Sequence, residues 1–135
     1  MKVEKVTIFT DGASKNNPGP SSIGVIIKNQ QGQTISTISK AIGHGTNNQA
    51  EYRAIIAALE EAIHLGARQV RLNSDSELVV RHHQGKYRVK NAALKPLYQQ
   101  VKQLLGRLES STIHHIPREQ NEEADNLANA ALKPG

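Results

Sequence analysis

Residues 46–66, TNNQAEYRAIIAALEEAIHLG, mark a change of period in the chain. Tyr52, Ile55, Ile56, Leu59, Ala62 and Ile63 recur at three- and four-residue spacing, which lines one face of an α-helix, and Gly66 follows as a C-terminal stop. A helix over residues 48–65 is expected, with Asn48 at the N-cap and Glu51 three residues on as its capping-box partner, inside the first turn.

On the N-terminal side the period is shorter. Val3 to Thr10, residues 23–28 (IGVIIK) and residues 34–42 (TISTISKAI) are rich in β-branched side chains, and NQQGQ supplies a turn between the last two. Three antiparallel strands fit this pattern, the first stopping on Asp11 before the loop of IFTDGASKNNPGP, residues 8–20. On the C-terminal side QVRLNSD gives a strand with Val70 and Leu72 inward and Asp75 at its end. SELVVRHHQG gives a short helix ended by Gly85, residues 92–108 a longer one, STIHHIP a fifth strand and NEEADNLANAALK a closing helix. Three strands, then helix, strand, helices, strand and helix describe an α/β fold whose mixed sheet adds parallel crossovers to an antiparallel start. Ligands of such sheets gather beyond the carboxyl ends of central strands.

The chain has 135 residues and no internal repeat or Pro/Ser-rich linker, so residues 1–135 are expected to form one domain, with 134–135 as a loose tail. Cysteine is absent, which removes disulfides and thiolate metal sites from consideration. The apolar runs are far shorter than the ~18 residues a membrane span needs, so no membrane partner and a cytoplasmic location are expected. Seventeen Lys and Arg against twelve Asp and Glu give a formal charge of +5, which favours a polyanionic partner.

Four carboxylates stand out, and each has a local explanation. Asp11-Gly12 is an ordinary turn pair. NQAE and SDSE, the latter running from Ser74 to Glu77, both fit capping boxes. Asp125, one turn into the last helix, complements the helix dipole there. If the first and fourth strands are parallel neighbours, however, Asp11 and Asp75 leave the same sheet edge.

Taken in order, FTDGASKNNPGP, TNNQAEYRAIIAAL, NSDSELVV and NEEADNLANAA resemble type 1 ribonuclease H over nearly the whole chain. The resemblance implies a five-stranded mixed sheet flanked by helices and maps the family's metal-binding carboxylates onto Asp11, Glu51, Asp75 and Asp125. It implies a metal-dependent endonuclease that cuts the RNA strand of RNA/DNA hybrids to 5′-phosphate products. Two Mg²⁺ ions per site, with Mn²⁺ as a substitute, would do the chemistry, and oxygen-only ligands suit them. It also places Asn17, Asn47 and Asn48 at the ribose 2′-hydroxyls, and Thr46, with His44 nearby, at a DNA-strand phosphate.

Two departures matter. The loop IPREQNEEAD lacks the histidine that many relatives carry, and Arg118 occupies it; His115 falls inside the fifth strand. Arginine does not act as a base, but it can hold the scissile phosphate or help product leave, so Arg118 is expected to be an accessory catalytic group. In place of a Trp-bearing basic protrusion the chain has HHQGKYRVK, where Lys86, Arg88 and Lys90 flank Tyr87. Hybrid binding of moderate affinity and steep salt dependence is expected, by a monomer, with duplex RNA left open as a further substrate. Two other readings compete: a non-catalytic hybrid- or RNA-binding module of the same fold, and an integrase- or resolvase-like DNA nuclease. A polyanion binder gains nothing from a negative cluster at its contact face, and a DNA nuclease of that kind would leave TNNQAE unexplained.

Overall fold

A computed structural model of the protein describes residues 4–132. The expectations for Val3, Lys133 and residues 134–135 lie outside the described residues. The elements run β1 (Lys5–Ser14), β2 (Gly19–Lys28), β3 (Thr34–Gly45), α1 (Asn47–His64), β4 (Gln69–Ser74), α2 (Glu77–His83), α3 (Lys95–Leu105), β5 (Ser110–His115) and α4 (Glu122–Leu132), with a 3-10 turn at Arg118–Gln120.

The sheet order is β3-β2-β1-β4-β5. β1 pairs antiparallel with β2, and β2 with β3, while β4 runs parallel to both β1 and β5. The expected mixed sheet therefore forms, with β1 and β4 as central neighbours. Alternation along the strands sends Val6, Ile8, Val25, Ile27, Val70 and Leu72 to one face, where they meet Tyr52, Ile55 and Leu59 of α1. α2 and α3 extend that core through Val79, Val101 and Leu104. α4 covers the opposite face, against β2, β1 and β3.

Several expected boundaries are corrected. β1 does not stop on Asp11: it loses its parallel partner after Thr10↔Ser74, but Asp11 to Ser14 stay paired with β2, so the strand passes through the carboxylate. β2 and β3 are likewise longer than expected, because their ends at Gly19 and Gly45 pair with each other. α3 is shorter than residues 92–108: Pro96 sits in its first turn, where a missing N–H costs nothing, and the chain leaves the helix at Gly106. β5 ends at His115, before Ile116 and Pro117.

The caps also differ. α1 is capped by Thr46, whose Oγ1 accepts from the Gln49 N–H at 3.1 Å while Gln49 Oε1 accepts from the Thr46 N–H at 2.8 Å. Asn48 and Glu51 do not form the box, so Glu51 stands beyond the first turn. α2 is capped by Ser76, which accepts from Val79, and the Ser74–Glu77 box is not formed; Ser74 Oγ accepts from the Ser76 N–H instead. Both shifts release an acidic side chain from helix capping.

Candidate active site

The fork where β4 leaves β1 opens the sheet edge between Thr10 and Ser74, and the next residue is a carboxylate in each case, Asp11 within β1 and Asp75 just past the end of β4. Asp11, Asp75 and Glu51 each bring one oxygen to within 4.8 Å of the other two, a grouping that can hold a cation. The edge alone does not explain Glu51, which comes from α1. Gly12 does. A Cβ built on Gly12 would lie 2.3 Å from the Ala50 carbonyl carbon and 2.4 Å from the Glu51 nitrogen, so only glycine lets α1 come down onto β1 here.

Donors are scarce in this space. The Gly12 N–H donates to Glu51 Oε1 at 3.2 Å and to Asp11 Oδ1 at 3.0 Å, and Glu51 Oε2 is buried without a partner. Asp11 is 5% exposed and Glu51 7%. Burial, reinforced by the neighbouring charges of Asp75 and Asp125, pushes the Asp11 carboxyl up to about 7. Glu51 is pushed well above the carboxylate range by burial first and by the Asp11 charge second. Removing carboxylates from water and facing them together is costly unless a positive charge accompanies them. The orphaned Glu51 oxygen and the all-oxygen donor set fit a hard divalent cation such as Mg²⁺.

Asp125 stands in the first turn of α4, half-buried and outside the three-carboxylate group, yet close enough for its charge to act on Asp11. Nη2 of Arg118 donates to Asp125 Oδ1 at 3.5 Å, with the Arg118 side chain largely in solvent. All four carboxylates and Arg118 line one open cavity of about 490 Å³, joined by Asn47 and Asn48 from the start of α1. Asn17 and Thr46 are not among its lining residues. Asn17 Oδ1 accepts the Asn47 N–H at 2.9 Å, so it pins the free end of α1, and the Thr46 hydroxyl oxygen is occupied as the cap. His115 closes β5 outside the cavity.

Sequence reasoning missed Ser76 and Asn129, which also line this cavity. Asn129 is four residues after Asp125 and shares its helix face, so helical spacing was a usable signal. In the sequence Gly12 reads as a turn residue; only the position of α1 reveals it as the point of closest approach.

Residues 9–131 match the family described as "Reverse transcriptase-like". The bifunctional protein Rv2228c of Mycobacterium tuberculosis is 41% identical over 129 residues, 95% of this chain and 35% of that protein. Among solved structures, ribonuclease H1 of Halobacterium salinarum superposes with a TM-score of 0.93 at 39% identity, covering 95% of this chain and 97% of that one. LC11-RNase H1, solved in complex with an RNA/DNA hybrid, gives 0.90 at 40% identity, covering 94% and 96%. The chain thus spans about a third of the length of the mycobacterial proteins it matches.

Proposed function

The chain belongs to the ribonuclease H family, and on that premise we propose that it hydrolyses the RNA strand of RNA/DNA hybrids endonucleolytically. In the reaction a water oxygen attacks phosphorus and the bond to the 3′-oxygen breaks, leaving a 3′-hydroxyl and a 5′-phosphate. The observation that carries the reading is the convergence of Asp11, Glu51 and Asp75 around a buried, unpartnered carboxylate oxygen. Among the described residues no other group of three such side chains meets that way.

Asp11, Glu51, Asp75 and Asp125 would hold two Mg²⁺ ions, with Mn²⁺ as a substitute. Such ions, when bound, activate water, stabilise the leaving oxygen and offset charge on the phosphoryl group. The rest falls to the chain. β1 and α1 pre-place Asp11 and Glu51 on rigid elements, and Asp75 directly follows β4, so little reorganisation is needed when substrate arrives. Arg118 reaches over Asp125 from solvent, a position suited to holding a phosphate oxygen through its fork of donors and unsuited to taking a proton. Asn47 and Asn48 line the cavity, and an amide can both donate to and accept from a 2′-hydroxyl, the group that tells RNA from DNA. Asn17 supports them by holding the Asn47 backbone, and Thr46 keeps a hydroxyl proton free for a DNA-strand phosphate. The protein acts as a monomer in the cytoplasm, and duplex RNA is the second substrate to test.

The test is incubation with labelled hybrid, duplex DNA and duplex RNA in Mg²⁺, Mn²⁺ or chelator. Cleavage of hybrid RNA that chelator abolishes is expected. Binding of hybrid without cleavage in either metal would replace the enzymatic reading with that of a binding module, and cutting of duplex DNA with that of a DNA nuclease.

A further inference from the structure

We infer that Gly24 is a positioning residue for Asp125, setting the depth at which α4 seats on the sheet; this rests on the ribonuclease reading above. Gly24 is the direct cross-strand partner of Asp11 on β2. Its missing side chain faces α4. A Cβ there would lie 2.1 Å from the Ala124 carbonyl oxygen, 2.6 Å from the Ala128 nitrogen and 3.1 Å from the Ala124 carbonyl carbon. All three obstructing atoms are backbone, so no rotamer change makes room and the helix itself must move.

Three hydrogen bonds hold α4 at that depth. Ser22 Oγ donates to the Ala128 carbonyl, Ser39 Oγ donates to the Leu127 carbonyl at 2.6 Å, and Asn121 Nδ2 donates to the Thr10 carbonyl at 2.9 Å. The last bond ties the residue before α4 to the strand position before Asp11. α4 is therefore tied to all three strands, its main chain accepting from Ser22 on β2 and Ser39 on β3 while the Asn121 amide donates to the main chain of β1, with Ala124 and Ala128 buried. Asp125 directly follows Ala124, so its distance from Asp11 is set by how closely Ala124 lies on Gly24. Gly12 plays the same part for Glu51 on the other face, and the Asp11↔Gly24 and Gly12↔Ile23 pairs are consecutive.

The experiment compares Gly24→Ala with Gly32→Ala by hybrid cleavage and by amide hydrogen exchange of the metal-free full chain. Gly32 lies in the β2–β3 turn at φ +78° with nothing within 4 Å, so its substitution strains the backbone without touching α4. For Gly24→Ala, kcat is expected to fall about tenfold or more with KM within roughly twofold, since a small misplacement of a catalytic group costs the chemical step. Exchange should quicken in α4 alone. Gly32→Ala should lower the melting temperature and leave kcat and α4 exchange as in the wild type. Wild-type kcat in Gly24→Ala, or a loss confined to melting temperature as in Gly32→Ala, overturns the inference. If Gly24→Ala does not fold, Ser39→Ala decides: a lower kcat at unchanged KM supports the inference and an unchanged kcat overturns it. A wild type that cuts no hybrid removes the ribonuclease reading instead, and the exchange comparison still shows whether Gly24 seats α4.

Discussion

Glu51 keeps one carboxylate oxygen without a partner in a space where burial and, next, the charge of Asp11 disfavour its ionised form. A group so placed serves a ligand at the expense of the metal-free fold. Glu51→Gln is therefore expected to abolish cleavage while leaving the metal-free protein as stable as the wild type or more so; Asp75→Asn should do the same. Thermal melts with and without Mg²⁺ check this, and the stabilisation by Mg²⁺ should vanish in both variants. A large drop in melting temperature without metal would assign these carboxylates a structural role. The pH dependence follows from signs. Asp11, raised from 3.8 to about 7, binds more protons folded than unfolded, so its contribution is full below about pH 4 and is lost as pH rises through about 7. His83 acts oppositely. Burial first, then the charges of His82 and Lys102, lower it from 6.5 to about 4, so its contribution is present above about pH 6.5 and is lost as pH falls through about 4. The two windows overlap, and variants separate them: Asp11→Asn should shrink the alkaline-side loss, buried Glu51 keeping the remainder, and His83→Phe should shrink the acid loss, buried His82 keeping the remainder, both read from metal-free melts. Neither ring nitrogen of His83 has a partner, and the ring stacks on Tyr98, so Phe replaces it without breaking a hydrogen bond.

At the scale of elements, the site depends on where two helices touch one strand. α1 begins at the Thr46–Gln49 box, and Thr46→Ala should cost about 1 kcal/mol of stability through loss of the cap. An unchanged melting temperature would mean that the cap carries little weight. Gly12→Ala confronts α1 with a Cβ only 2.3 Å from its backbone. It is expected to lower the melting temperature and cleavage together, because α1 contributes both core and Glu51. Boundaries were least legible at this scale. Residues 46–66 announce a helix by their own period, since the apolar positions of α1 need only lie on one face. The end of β1 is decided by β2, which keeps bonding past the point where β4 departs, and no property local to Asp11 reports that. The caps were misplaced for a related reason. Asn48 and Glu51 have the right chemistry and spacing for a box, but Thr46 and Gln49 offer the same set two residues earlier, and the strand–helix junction selects them.

Over the whole molecule the formal charge is +5, although the cavity that would take the substrate is acidic. Attraction for a hybrid must then come from the Lys and Arg side chains outside the cavity and from Arg118, through phosphate contacts that release counterions. Hybrid affinity, measured in Ca²⁺ or chelator to prevent turnover, should fall steeply as salt is raised, linearly on logarithmic axes. Affinity unchanged between low and high salt would contradict a charge-driven complex. The sequence by itself determined the α/β class and the order of strands and helices, because hydrophobic period is a property of neighbouring residues, and its resemblance to a family singled out the four carboxylates. Only the tertiary structure decided that Asp11 is a buried mid-strand residue, that Glu51 is released from capping with an oxygen left unpaired, and that Gly12 and Gly24 admit a helix from each side. Those facts depend on packing between segments far apart in the chain, such as Asp11 with Gly24 and Gly24 with Ala128, where a single missing Cβ sets how closely backbones approach, and such distances leave no trace in local sequence.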